Sequence, residues 1–405
     1  MGFQQGLSGL FAAARNLDVI GNNVANANTV GFKQGNAVFA DVYANSLAGG
    51  GGSSPGIGVS VTAIQQNFVQ GNVSTTSNPL DIAINGNGFF RLDTNGTVSY
   101  SRNGQFHLDK NGFIVNSTGS KVTGYGVDSA GTILISDPGP LKVSMADLPA
   151  TATATTQIGL NLDSRDPVIA GAFDVTDPTT YNKATSMTVY DSLGNSHGFT
   201  TYYAKTAANT WSVYGAIDGT ALPAAIGSLS FGTDGTLTSG TPALPFSIST
   251  AVTTGATTPF VFTLDYAGAT QFGSTFGVNT LKQDGFSSGQ LSGFGVGSDG
   301  TVQGRYTNGQ TRNLGQFLLS SFPNTNGLQP LGNNAFAETA DSGQPVSGSP
   351  SSGNLGVLQS GAVEESNVDL TAELVDMITA QRVYQANAQT IKTQDQVLNT
   401  LVNLR

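Results

Sequence analysis

The sequence predicts a mixed, mainly β protein: two nested antiparallel β domains, with long α-helices at both termini forming a coiled-coil inner domain. Three observations carry this expectation. Apolar residues recur at helical spacing at both ends, Asn-Gly turn signals cut the middle into short apolar runs, and charge is sparse throughout. At 405 residues the chain also exceeds what one hydrophobic core usually serves, so several domains are expected.

At the N-terminus Phe3, Leu7, Leu10, Ala14, Leu17 and Val24 recur at alternating intervals of four and three, with Gly21 taking its turn in the series. Such a heptad stripe predicts a helix over residues 3–25. At the C-terminus Leu374, Met377, Tyr384, Ala388, Ile391, Leu398 and Val402 share one series, with Gln381 and Asp395 as polar exceptions and Leu401 beside it. Asp369 is placed to cap this helix, acidic Glu373 and Asp376 fall early, and Lys392 and Arg405 fall late, an order that complements the helix dipole. Unbroken from Asp369 to Arg405, it would be about 55 Å long at 1.5 Å per residue. That is longer than a compact domain needs, so another molecule is expected to cover its stripe.

Between the helices the grammar changes. From Val73 to Tyr125 the turn signals Asn85-Gly86, Asn95-Gly96, Asn103-Gly104 and Asn111-Gly112 punctuate apolar runs and predict antiparallel hairpins. The Gly-rich stretch Gly49 to Gly58 reads as a connector. Past a Pro-, Ala- and Thr-rich shift between Pro138 and Thr156, strands are expected at 186–190, 199–204 and 260–266, the first two joined by a turn at 191–195. Around Gly285 the hairpin grammar returns, through Asp299-Gly300 and Asn308-Gly309. Residues 324–358 read as surface loops. The expected domains are therefore 1–72 with 364–405 (helical, polymerising), 73–145 with 286–363 (first β domain), and 146–285 (outer β domain inserted in the first).

Composition excludes several functions. Net charge is −10 with 16 Lys plus Arg and no basic cluster, so the counterion-release drive for nucleic acid is missing. Absence of Cys removes disulfides, thiolate metal sites and a Cys nucleophile. No apolar run approaches the roughly 18 residues that would suggest a membrane span, and the opening residues lack the pattern of a cleavable signal. The chain is expected to be cytosolic or exported by a route that keeps its N-terminus.

No catalytic, cofactor or metal site is expected. The two histidines, His107 and His197, are far apart in sequence and are read as turn or surface residues. Asp93 to Gly96 and Asp109 to Gly112 resemble fragments of a calcium loop but lack its later acidic ligands, and are read as hairpin turns. Gly293 to Gly297 misses the spacing of a phosphate loop and is also read as a turn.

The run Leu17 to Lys33, LDVIGNNVANANTVGFK, resembles the signature of the rod and hook family of bacterial flagellar axial proteins: an apolar helix, paired Asn, then a tight turn. Asn22, Asn23, Asn26 and Asn28 suit a helix end because Asn tolerates the left-handed conformation and bonds nearby backbone, Gly31 permits the chain to reverse, and Phe32 and Lys33 follow. Gly86 to Phe90, Tyr100 to Tyr125 and the tail Ser366 to Arg405 are similar to the same family. Met187 to Gly215 resembles the outer domain of its hook branch.

This resemblance implies a structural, non-enzymatic subunit of the flagellar hook, an extracellular curved hollow tube that acts as a universal joint and carries torque from rod to filament. It also implies export through the flagellum's type III apparatus, a helical homopolymer, and contacts with distal rod, hook cap and hook-filament junction proteins. The expected subunit interface comprises Phe3, Leu7, Leu10, Leu17, Val24, Leu374, Met377, Tyr384, Ala388, Ile391, Leu398, Leu401 and Val402. The rival readings are a distal rod subunit of the same family and a secreted β-rich adhesin or carbohydrate-active protein. The latter would want clustered carboxylates and aromatics, against the single Trp211.

Overall fold

The computed structural model describes residues 2–42, 56, 58–136 and 138–403. Two helices flank a β-rich middle: α1 (Gly2–Ala25) and α2 (Leu370–Asn403). Asp369 caps α2 as expected, its Oδ1 accepting hydrogen bonds from the backbone N–H groups of Thr371 at 2.9 Å and Ala372 at 3.2 Å. The connector read at Gly49 to Gly58 lies almost wholly outside the described residues.

The chain forms two compact units, one of residues 1–144, 293–304 and 311–405, the other of residues 145–292 and 305–310. Both helices belong to the first unit, together with the β strands of its middle. Its main sheet runs through strands Thr311–Phe317, Lys121–Tyr125, Phe89–Thr94, Thr97–Ser101, Ala335–Ala337 and Gln329–Gly332. One face buries Phe89, Tyr100, Phe322, Leu328 and Phe336, with edge-to-face ring pairs such as Tyr100 on Phe322 at 4.7 Å.

Two of the four Asn-Gly signals make hairpins. Asn95 and Gly96 both take positive φ between strands Phe89–Thr94 and Thr97–Ser101, and Asn111-Gly112 lies between the paired strands Phe106–Leu108 and Ile114–Asn116. The other two do not, which corrects that reading. Strand Ile82–Asn85, ending at Asn85, pairs with distant Val357–Ser360. Gly104 is needed for close approach instead, since a Cβ there would lie 1.7 Å from the carbonyl oxygen of Ile82.

Residues 324–358 also depart from expectation. They contribute strands at Gln329–Gly332, Ala335–Ala337 and Val346–Gly348, and Leu328 and Phe336 are core residues. The strands are too short for an alternating pattern to stand out among Gly, Ser and Pro. Gly293 to Gly297 likewise lies mostly in a strand, Leu291–Val296, and not in a turn.

The second unit contains two sheets over one core. Strands Lys183–Tyr190, Ser196–Ala207, Thr210–Ile217, Gly227–Phe231 and Leu237–Thr241 form an antiparallel meander. The other sheet centres on Thr155–Asp163, which pairs antiparallel with Gly277–Gln283 but parallel with Phe260–Asp265 and Thr270–Phe272. The wholly antiparallel expectation fails at this strand, because the long segment between residues 163 and 260 supplies the crossover that parallel pairing needs. Leu160, Phe199, Trp211, Phe262 and Tyr266 fill the core between the sheets.

Candidate assembly interface and the junction that positions it

The terminal helices pack against each other in opposite directions: Gly6 and Gly9 near the start of α1 meet Ile391 and Asn387 late in α2, while Asn23 at the end of α1 meets Glu373 at the start of α2. The contact is made by small residues. A Cβ at Gly6 would lie 3.1 Å from Ile391 Cγ1 and one at Gly9 would lie 2.8 Å from Asn387 Oδ1. Ala12, Ala13, Val19, Ile20 and Asn23 complete the buried side of α1, and Glu373 and Ala380 are buried on α2. A groove of about 710 Å³ runs between α1, α2 and the strand Gly35–Val42, lined by Ala12, Asn16, Val19, Asp376 and Val383 among others.

The expected seam residues therefore lie beside this contact. On α1, Phe3 is 45% exposed, while Leu7, Leu10, Leu17 and Val24 are half-buried. On α2, Leu374 is 44%, Tyr384 38% and Leu398 55% exposed, while Met377, Ala388 and Ile391 are half-buried. The side chains of Leu401 and Val402 lie outside the described residues. Because Gly6 already sits opposite Ile391, the last turns of α2, with Val397 and Leu398, have no α1 residue opposite them. Leu370, Val375, Ile378 and Val383 add to the uncovered apolar surface of α2.

The turn after α1 holds this pair in place. None of Asn22, Asn23, Asn26 and Asn28 takes a positive φ, so the left-handed part of their expected role fails while the bonding to nearby backbone is met; Gly31 does take one, at +73°. Three of these Asn work through their side chains, Asn22 by accepting from Asn26 Nδ2 at 3.0 Å. Asn26 Nδ2 donates to the carbonyl oxygen of Asn22 at 2.9 Å. Asn23 is 1% exposed and pairs with Gly35 as a strand neighbour would, donating to its carbonyl oxygen at 2.8 Å and accepting from its N–H at 2.9 Å. It also donates to Glu373 Oε1 at 3.0 Å, and Gln34 Nε2 donates to the same oxygen at 2.7 Å. Asn22 and Asn28 are exposed, and Phe32 is half-buried.

Lys33 is buried in a charged triad. Its Nζ lies 2.5 Å from Glu364 Oε1, and Arg102 Nη1 lies 3.1 Å from Glu364 Oε2, with all three side chains almost wholly covered. Lys33 also donates to the Val69 carbonyl at 2.9 Å, the N–H of Gly71 donates to Glu364 at 2.9 Å, and Arg102 Nη2 donates to the Gly86 carbonyl at 2.7 Å. Burial pulls the Lys33 ammonium and the Arg102 guanidinium below their ordinary pKa values, and Glu364 opposes that pull on both. Asn367 closes the knot, accepting from Gln34 N at 2.8 Å and donating to the Asn67 carbonyl at 2.8 Å. The junction thus ties the turn after α1, the first β layer and the start of α2 to one another.

Arg102, Glu364 and Asn367 were not singled out from the sequence, and Glu373 was noted only as an early acidic residue of the C-terminal helix. The available signal was Glu364 directly behind Ala362-Val363, a charge at the end of a buried strand in a chain with only 10% charged residues. Among the described residues no group of His, Asp and Glu could hold a metal ion, and no helix is long and apolar enough to cross a membrane. His197 is the other correction. It is buried in strand Ser196–Ala207 between two carboxylates, whereas His107 is exposed.

Four family models match the chain. They are the flagella basal body rod protein over residues 3–33, the flagellar hook protein FlgE/F/G D1 domain over 83–161, the flagellar basal body protein FlaE D2 domain over 161–286, and the flagellar basal body rod FlgEFG protein C-terminal region over 359–404. A β-rich chain with paired terminal helices, matched in this order, is a structural protein of the flagellar axial class. Flagellar hook protein FlgE of Escherichia coli K12 is 44% identical, with all of both chains covered, and that of Salmonella typhimurium LT2 is 45% identical over the same full coverage. The hook protein of Borreliella burgdorferi is 32% identical over 99% of this chain and 98% of its own. The chain belongs to the flagellar hook protein FlgE family. A crystal structure of Helicobacter pylori FlgE2 shares the fold, with a TM-score of 0.57 at 12% identity over 72% of this chain and 100% of that one.

Proposed function

We propose that this chain is the structural subunit of the flagellar hook and that its terminal helices are the polymerising element. Residues 1–72 with 364–405 form the polymerising segment, and residues 73–145 with 286–363 and 146–285 are two further domains. The observation that carries the reading is the uncovered apolar surface of α2. Leu374, Tyr384 and Leu398 stay exposed although α1 is already docked on the same helix. Each Leu covered by a neighbouring copy would contribute about 1.5 to 3 kcal/mol. Contacts between different patches that do not close into a ring extend into an open helical tube.

Membership of the family supports an extracellular place in the hook, export by the flagellar type III apparatus, and ends that meet rod, cap and junction proteins. The activity is mechanical. The buried triad and the Asn23 pairing suit it, because charge-assisted hydrogen bonds of fixed geometry resist rotation of the helical pair against the first β layer. Electron microscopy of the purified protein after induced polymerisation tests the reading. Curved tubes are expected; straight tubes would assign a rod subunit, and no polymer at any concentration would remove the proposal.

A further inference from the structure

His197 takes no part in the helical pair or its junction. Nδ1 of its buried ring lies 2.6 Å from Asp218 Oδ2, and Nε2 lies 3.3 Å from Asp191 Oδ2. A neutral imidazole has one N–H and one lone pair. With a carboxylate against each nitrogen, the neutral ring would turn its lone pair toward an anion, whereas the imidazolium donates to both. Asp191 is itself anchored: Oδ1 accepts from the N–H groups of Leu193 and Asn195, each at 2.9 Å, and Oδ2 accepts from Asn195 Nδ2 at 2.9 Å and Thr254 Oγ1 at 2.6 Å. Asp218 Oδ1 accepts from the N–H of Gly198 at 2.8 Å.

The Asp191 turn has neighbours of consequence. A Cβ on Gly194 would lie 2.6 Å from Ala150 Cβ and 3.2 Å from Ser287 Cα, and Thr153 exchanges hydrogen bonds with the backbone of Tyr190. Residues 145–154 and 284–292 bring the chain into and out of the second unit, and they bridge each other at Leu148 with Gly289 and at Thr151 with Phe286. We infer that the imidazolium of His197 is a latch that holds the 191–195 turn rigid against these two segments, and that loss of its proton loosens the unit where the chain enters and leaves it.

The charged groups on the surrounding elements fit one latch. The 191–195 turn supplies Asp191 and the turn after strand Thr210–Ile217 supplies Asp218. The loop 251–259 carries no titratable group, and strand Phe260–Asp265 presents the Phe260 ring at 6.2 Å, with Asp265 at its far end. On its own strand the remaining charge is Lys205, occupied by the Ser164 and Asp166 carbonyls. The entering and leaving segments carry Asp147 and Asp284, and Asp284 accepts from the N–H groups of Ala154 and Thr155.

Burial opposes charge on His197, but the two carboxylates outweigh it and raise its pKa above the ordinary 6.5. Asp191 and Asp218 are held below 3.8 by the hydrogen bonds they accept, against the opposing effect of burial. A raised histidine stabilises fully below its unfolded value and ceases to do so as pH rises through its folded value. The latch is therefore closed at pH 6.5 and below, down into the depressed range of the two carboxylates, and opens as pH rises through the raised value of His197.

The full chain has two histidines, so NMR titration of the monomer separates them. His197 is expected to titrate above 6.5. Amide exchange in 145–154 and 284–292, corrected for its intrinsic pH dependence, is expected to quicken by about tenfold across that titration, as for loss of one charge-assisted hydrogen bond. His197→Gln should abolish the pH dependence. Asp218→Asn, which keeps the ring and removes one carboxylate, should lower the His197 midpoint. Exchange in the two segments that ignores the titration, or a midpoint unmoved by Asp218→Asn, would overturn the latch.

Discussion

Glu364 shows how one residue constrains the rest of the first unit. Among the described residues it is the one anion that pairs with both Lys33 and Arg102, so removing it leaves two buried cations without a counter-ion where water cannot reach them. Glu364→Ala is expected to destabilise the first unit by about 3 to 5 kcal/mol, read as a lower urea midpoint for that unit with the second unit unchanged. Asn23→Asp is a subtler test. The carboxylate would replace the amide that donates to the Gly35 carbonyl and to Glu373, setting acceptor against acceptor at a loss of about 2 to 3 kcal/mol. At this scale the sequence was half legible. Asn23 and Lys33 stand in a recognisable signature, but their carboxylate partners Glu373 and Glu364 lie more than 300 residues away, and no local pattern announces such a pairing.

At the scale of the helix, the apolar stripe was legible and its use was not. The heptad reading marked Phe3, Leu7, Leu10 and Leu17 as the packing seam of α1. The structure packs α1 on α2 through Gly6, Gly9 and alanines, small residues outside that seam that let two backbones approach closely. Gly9→Val should thus force the helices apart, with a loss of about 1 to 3 kcal/mol from overpacking, seen as earlier melting of the helical circular dichroism signal. Asp369→Ala should cost about 1 kcal/mol at the start of α2. The β elements follow a similar rule. Asn95-Gly96 was readable because its strands are neighbours in sequence, whereas Asn85 ends a strand whose partner begins at Val357.

For the whole molecule, the uncovered apolar surface of α2 and the two compact units fit the proposed scheme of a polymerising end and a second β unit. Deleting residues 145–292 is expected to leave chains that still polymerise but build tubes of altered bending stiffness, measured from the curvature fluctuations of single tubes. The central claim, that the apolar ridge of α2 is completed by other copies, is tested most directly by Leu398→Asp. Leu398 is 55% exposed, with no α1 residue opposite it, so the substitution should leave thermal unfolding of both units unchanged while electron microscopy finds no tubes. Tubes of normal length from that variant would contradict the account.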